Sequence, residues 1–287
     1  MKMEISYYPG CSLESTAKEY QLSAEIVCKQ LGIELVEIED WNCCGALEVS
    51  SLDPTLSLAL PARNLKIASE RSDKLVVACN ACLNNLLTVQ HKLSQNEELK
   101  QKINRILNYE FREIEIKHLL DLIWSEVGLE NIGESVEKQL NGLKTVSYYG
   151  CLSVRPSKIM KSDDPDNPMH MDEIVSVLGG EPLEFTSKTK CCGGGLLMTY
   201  RDIALKLTEQ ILTEASQRGA QCILVTCPLC HMTLETLTNK VKTGPDKRKI
   251  PILYFTQLMG LSFGIEPKKL GLHKNLISPE PVINSIG

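Results

Sequence analysis

The sequence has no apolar run of about 18 residues, the length a helix needs to cross a bilayer, so no part of it is expected to span a membrane. Its first residues, MKMEISYYPG, lack the apolar stretch of a secretory signal. The chain is therefore expected in the cytoplasm, reaching a membrane complex only through a partner. A basic stripe is missing too. Lys and Arg number 31 against 36 Asp and Glu, for a net charge of −5, so nucleic acid is not an expected partner. The Cys-x2-Cys-x2-Cys-x3-Cys-Pro run of the common cubane ferredoxins is also absent. Cysteine itself is plentiful: there are twelve. In a reducing compartment thiols stay free, so clustered cysteines point to metal or catalysis rather than to a disulfide framework.

Ten of the twelve cysteines repeat. Cys11 is followed after 31 residues by Cys43-Cys44, and after 34 more by Cys79-x-x-Cys82. Cys151 is followed after 39 residues by Cys191-Cys192, and after 34 more by Cys227-x-x-Cys230. The flanks repeat as well: SYYPGC with SYYGC, NCCGA with KCCGG, and KLVVACNAC with CILVTCPLC. A period of this length is too long for a solenoid and means two copies of one domain. The expected boundary lies near Asn141 to Thr145, giving domains 1–143 and 144–287, the second with a C-terminal tail.

Hydrophobic patterning predicts strands at Met3 to Tyr8, Glu34 to Ile38 and Leu75 to Ala78 in the first copy. Helices are predicted at Ala17 to Leu31, at Pro54 to Ser72 and from about Cys82. The second copy predicts strands at Thr145 to Tyr148, near Pro182 to Phe185 and at Ile223 to Thr226, with helices at Met171 to Leu178 and Asp202 to Arg218. Alternating strands and helices imply an α/β fold with a small parallel sheet in each copy. The cysteines then fall beyond strand C-termini or at helix starts, the edge at which open α/β sheets bind ligands. Helix N–H groups aimed at that edge offset negative charge.

Cys28 and Cys222 stand outside the repeat and read as small buried hydrophobes. Bridging Cys43 to Cys44, or Cys191 to Cys192, would strain a disulfide, because neighbouring Cα atoms lie only about 3.8 Å apart. The two Cys-x-x-Cys pairs are compatible with redox-active dithiols, which leaves three cysteines per half unexplained. Structural zinc takes four ligands, one fewer than are present. An iron–sulfur cluster fits best, with the fifth thiolate pointing to unusual geometry and Gly45 and Gly193 to Gly195 allowing close backbone approach.

At YYPGCSLESTAKEY, WNCCGA, YYGCLSVRP, DDPDNP, CCGGG and CPLCH the chain resembles the B subunit of heterodisulfide reductase, along its whole length. The resemblance implies two homologous Rossmann-like CCG domains related by a pseudo-two-fold axis. Each would carry a noncubane [4Fe-4S] cluster on five cysteines: Cys11, Cys43, Cys44, Cys79 and Cys82 in one, Cys151, Cys191, Cys192, Cys227 and Cys230 in the other. It further implies a substrate disulfide seated between the clusters, reduced by one electron from each. The electrons would come from a small ferredoxin-like subunit, itself fed by a flavin-containing subunit of the same complex. In methanogens the substrate would be the mixed disulfide of coenzymes M and B; elsewhere it would be another small-molecule or protein-bound disulfide.

His231, next to Cys230, is the candidate catalytic proton donor. His118 reads as a packed strand–helix residue. Lys188 and Lys190 precede the second Cys-Cys pair, as solvated lysines or as countercharges to a cluster or an anionic substrate. The stretch Asp163 to Asp172 reads as the loop that lengthens the second copy by eight residues. The leading functional expectation is an oxidoreductase acting on a sulfur group. The competing one is an electron-transfer subunit of a lactate or glycolate oxidation system, many of which carry an N-terminal ferredoxin domain that this chain does not show. A metal-binding scaffold without catalysis is the third.

Overall fold

The computed structural model describes residues 3–46, 49–241 and 249–286. In the first half, β1 (Met3–Tyr8), β2 (Ile33–Glu37), β3 (Lys74–Val77) and β4 (Glu115–His118) form a parallel sheet in the order β2-β1-β3-β4. Between them run α1 (Lys18–Gln30), α2 (Leu56–Arg71), α3 (Asn80–Gln95) and α4 (Glu97–Leu107). In the second half, β5 (Lys144–Tyr148), β6 (Glu181–Pro182), β7 (Cys222–Val225) and β8 (Ile252–Tyr254) form a second parallel sheet in the same order, β6-β5-β7-β8. Its helices are α5 (His170–Val177), α6 (Arg201–Gln217), α7 (Pro228–Thr238) and α8 (Phe255–Ser262). The α/β class and the doubled parallel sheet expected from the sequence are both present. Among the described residues no helix is long and apolar enough to cross a membrane.

Central strands covered on both faces need continuous apolar runs rather than alternation. β3 buries Leu75, Val76 and Val77, and β7 buries all of Cys222 to Val225. Cys222 is thus a packed strand residue. Cys28 is likewise fully buried, on the inner stripe of α1 with Tyr20, Ala24 and Val27. α3 presents Cys82, Leu86, Val89 and Leu93 at the three- and four-residue intervals of a helix face.

The reading of His118 as a packed strand–helix residue holds, but the sequence pattern does not mark β4 or β8 as the fourth strand of each sheet. The strand expected near Pro182 to Phe185 is reduced to two residues, Glu181–Pro182. His118 closes β4 and caps the turn that follows, its Nδ1 accepting from Leu120 N at 3.1 Å. β3 and β7 hold equivalent places, with Val77 beside His118 and Val225 beside Tyr254. His118 and Tyr254 are therefore counterparts.

Candidate metal centre

Each half brings its five cysteines to the C-terminal edge of its sheet from three separate segments. The first cysteine follows a strand: Cys11 after β1 and Cys151 after β5. The glycine before it is constrained. Gly10 and Gly150 have φ of 75° and 77°, and a Cβ there would lie 3.1 Å from Cys82 Sγ and 3.0 Å from Cys230 Sγ. Both the left-handed turn and the approach of the thiol demand a residue without a side chain.

The Cys-Cys pair is held by a tyrosine from the strand. Tyr8 Oη donates to Asn42 O at 2.9 Å, and Tyr148 Oη donates to Lys190 O at 2.6 Å. Asn42 and Lys190 immediately precede the two pairs, so the same brace occurs twice. Beyond each pair the backbone turns its N–H groups onto the sulfurs. Gly193 N donates to Cys191 Sγ and Gly194 N to Cys192 Sγ, both at 3.3 Å. Gly45 and Ala46 do the same for Cys43 and Cys44. Such a nest of N–H groups suits an anionic sulfur. The Cys-x-x-Cys pairs sit at helix starts: Cys79 and Cys227 are the N-caps of α3 and α7, and Cys82 and Cys230 lie in the first turns. Pro228 occupies the first helical position, where its missing N–H costs nothing.

Eight of the thiols, from Cys11 to Cys192, follow one another in series, and Cys151 with Cys191 forms a separate pair. Cys11 Sγ lies 3.7 Å from Cys43 Sγ, and Cys44 Sγ lies 3.2 Å from Cys82 Sγ. Cys192 and Cys230 are 3.6 Å apart, and Cys151 bonds Cys191. Cys79 interacts with Cys82 and Cys227 with Cys230, and Cys79 interacts with Cys227 across the boundary between the halves. Cys79 and Cys227 are counterparts that face each other across the boundary, which puts the approximate two-fold axis between them. Of the ten thiols, Cys11, Cys43 and Cys191 are exposed, Cys151 is half-buried, and the other six are buried. Among the described residues no three His, Cys, Asp or Glu side chains gather around a single ion.

Thiol acidity follows these contacts. Cys191 is pushed down to about 6 by the bond from Cys151, with Gly193 N–H assisting against burial. Burial pushes the isolated Cys28 thiol up to about 12. The chemistry of the donor set fits a polynuclear iron–sulfur group: two equivalent pockets of thiols, their sulfurs met by other thiols and by backbone N–H groups.

The seam between the halves is polar next to the inner sulfurs. Asn80 Nδ2 donates to Tyr149 O at 2.6 Å and to Thr226 Oγ1 at 3.1 Å. Neither residue was anticipated. The tyrosine brace was within reach, because YY precedes the first cysteine in both copies of the repeat.

His231 is buried, and neither of its ring nitrogens bonds a thiol among the described contacts. Nε2 lies 3.1 Å from Ile252 O, and the ring stacks on Tyr254 with centroids 4.3 Å apart. Nδ1 faces Glu235 at 3.8 Å and Glu19 at 4.0 Å. Burial pushes the imidazole down to about 4, so it is neutral at ordinary pH. Lys188 is not a solvated lysine fronting the site: it is buried and paired with Asp172 at 3.0 Å, while its carbonyl accepts from Tyr149 N and Gly150 N. Lys190 is exposed.

The model of a family described as a cysteine-rich domain, CCG, matches residues 5–87 and 145–235. The chain is 34% identical over 282 residues to the 8-methylmenaquinol:fumarate reductase membrane anchor subunit of Wolinella succinogenes, covering 96% of this chain and 98% of that protein. It is 30% identical over 283 residues to the B subunit of the ferredoxin:CoB-CoM heterodisulfide reductase of Methanosarcina mazei, covering 96% and 94%. It is also 30% identical to a protein of Archaeoglobus profundus named as like the heterodisulfide reductase B subunit, over 93% of each. Among solved structures, a hypothetical protein from Helicobacter pylori superposes with a TM-score of 0.73 at 15% identity over 94% of this chain. This chain spans about half of that structure, 51%, and the likeness is one of fold.

Proposed function

This chain belongs to the CCG cysteine-rich domain family, in two copies, and from that premise we propose that it is the disulfide-reducing subunit of a heterodisulfide reductase-like complex. In this reading Cys11, Cys43, Cys44, Cys79 and Cys82 hold one noncubane [4Fe-4S] cluster. Cys151, Cys191, Cys192, Cys227 and Cys230 hold the other. The domain boundary is placed between residues 143 and 144. The observation that carries the reading is the pair of matching five-thiol edges, whose buried counterparts Cys79 and Cys227 interact across the boundary and so set the two sites back to back.

When bound, iron–sulfur clusters supply one-electron transfer and Lewis-acidic iron. The chain's own groups prepare the sites. The Gly193 N–H on Cys191, and the Gly45 and Ala46 N–H groups on Cys43 and Cys44, favour the thiolate over the thiol. Burial of Cys79, Cys82, Cys227 and Cys230 keeps water from the inner sulfurs. Exposed Cys11, Cys43 and Cys191 mark the face at which a disulfide meets the protein. His231 holds α7 against Ile252 and Tyr254, so its part is to position Cys230. The substrate is a small-molecule or protein-bound disulfide. The partners are a ferredoxin-like and a flavin-containing subunit, in the cytoplasm.

Anaerobic purification with iron and acid-labile sulfide analysis tests the reading, with roughly eight irons per chain expected. Zinc without sulfide would overturn it. Cys192→Ala is expected to lose one cluster and all disulfide turnover; full activity would show that the second half plays no part in the chemistry.

The 34% identity to the fumarate reductase subunit favours a second reading, an electron-transfer subunit of a quinol-linked fumarate reductase. The co-purified complex, supplied with reduced viologen, separates the two by which acceptor it consumes, fumarate or a disulfide. The same identities favour both readings over lactate or glycolate oxidation.

A further inference from the structure

The two halves differ in how they treat the open edge of their sheets. β4 and β8 are the terminal strands, and each faces the helix that starts at its Cys-x-x-Cys pair. Along β8 the trough is filled by the chain's own C-terminal segment. Glu235 accepts from Leu276 N at 3.0 Å and Ile277 N at 3.3 Å. Asn275 Nδ2 donates to Ile252 O at 2.9 Å and lies 3.4 Å from His231 Nε2. Leu272 and Ile277 of this segment are buried.

The repeat tells which first-half residues occupy these places. Counting from Cys82 and Cys230, Leu83 corresponds to His231 and Leu87 to Glu235. Counting from the strand register, Ile116 corresponds to Ile252. Leu83, Leu87 and Ile116 all line an open groove of about 600 Å³, together with Ile114, Trp124 and Met160. Among the described residues no segment of this chain closes it, because the linker after the first half leads away to the second. There Glu137 N and Lys138 N donate to Ser262 O, and Leu140 N donates to Leu178 O.

The groove has the charge of an incomplete interface. Its acids are already engaged: Glu113 with Ser94, Glu115 with Lys74 and Lys117, and Asp121 with His170. Lys158 and Lys161 also line it, and their ammonium groups have no partner among the described residues. Ser162 Oγ, on the same wall, is buried without a hydrogen bond.

We infer that this groove receives an extended segment of a partner protein, laid along β4 and α3 as residues 275–277 lie along β8 and α7. The segment presents apolar side chains to Leu83, Leu87 and Ile116 and carboxylates to Lys158 and Lys161. Since the walls are leucine where the filled trough has His231 and Glu235, the recognition is more apolar than the chain's own. Strand-edge docking of this kind draws specificity from side-chain pockets and opposite charge. Docking here is independent of what the ten thiols bind.

The test places the photo-crosslinker p-benzoylphenylalanine at Leu87 of the full chain, expressed in its source cells. The expected adduct joins one protein through a segment of apolar residues that carries Asp or Glu, as read by mass spectrometry. Lys158→Glu with Lys161→Glu is expected to cut the adduct at least tenfold while iron content stays at the wild-type level. No adduct, adducts only within the chain, or an adduct indifferent to the charge reversal overturns the inference. Hydrogen exchange on the unmodified protein is the second measurement. Amides of residues 113–118 are expected to exchange at least tenfold more slowly in the purified complex than in the chain alone. Equal rates would refute peptide docking, and equal slowing by millimolar inorganic phosphate would refute it by making the groove a small-anion site.

Discussion

Asn80 and Thr226 bond each other reciprocally across the seam: the amide Nδ2 donates to Oγ1 at 3.1 Å, and the hydroxyl lies 3.3 Å from Oδ1 as donor. One follows Cys79 and the other precedes Cys227, so this pair fixes the distance between the innermost sulfurs of the two halves. Removing the amide strands Thr226 and the Tyr149 carbonyl in a buried setting. Asn80→Ala is expected to cost about 2 kcal/mol, read as a fall in Tm of about 4–8 °C for a chain of this size. The iron content of the surviving folded fraction should not change.

Gly10→Ala and Gly150→Ala test the close approach of glycine to sulfur. Each places a methyl group 3.1 or 3.0 Å from the facing thiol on a backbone that disfavours any side chain. Iron is expected to fall by about half in either variant, with far-ultraviolet circular dichroism unchanged. Full iron loading in both would show that the thiols do not need the geometry they have here.

Tyr8→Phe and Tyr148→Phe remove the brace on the residue preceding each Cys-Cys pair. A single hydrogen bond of this kind contributes about 1 kcal/mol. Iron should still load, but a chelator should strip it several-fold faster from the half that has lost its hydroxyl. Equal stripping rates in wild type and both variants would reduce the tyrosines to packing.

The buried carboxyl of Glu235 gives the protein a pH signature. Burial, reinforced by the nearby Glu19 charge, pushes it up to about 7 against the N–H groups of Leu276 and Ile277. Glu19 is itself raised by burial. His231 and Tyr254 add no charge beside them, and Lys274 acts on Glu19 in the opposite sense. The folded chain thus keeps a proton that the unfolded chain releases at the ordinary value of 4.5. The associated stability is full below that value and is lost as pH rises through about 7. Glu235→Gln should flatten the fall of Tm across this window. A slope as steep as that of wild type would place the titration elsewhere.

The cysteine repeat and the strands leading into it were legible because equal spacing and equal flanks report duplication directly. The apolar runs at Leu75 to Val77 and Ile223 to Val225 permit few structures other than buried strands. The terminal strands escaped notice for a physical reason. Glu115–His118 alternates charged and apolar residues at a sheet edge, and Ile252–Tyr254 is only three residues long, leading straight into a helix. Both are strands because of what lies beside them. Asn80 and Thr226 could not be paired from sequence either, since their partnership exists only once the halves have met. His231 stands next to Cys230 in sequence, yet its ring follows the inner face of α7 toward Tyr254.

The meeting of Cys79 with Cys227 sets a clock on biosynthesis. All five thiols of the first half leave the ribosome before any of the second, so they are ready to take up iron early. The wall that shields the innermost of them is supplied by Thr226 and Cys227, far downstream. A nascent chain charged too soon would present raw sulfur to oxygen along that unfinished flank. On the proposed reading, the flank of Cys79 is closed only once the second half has folded against it.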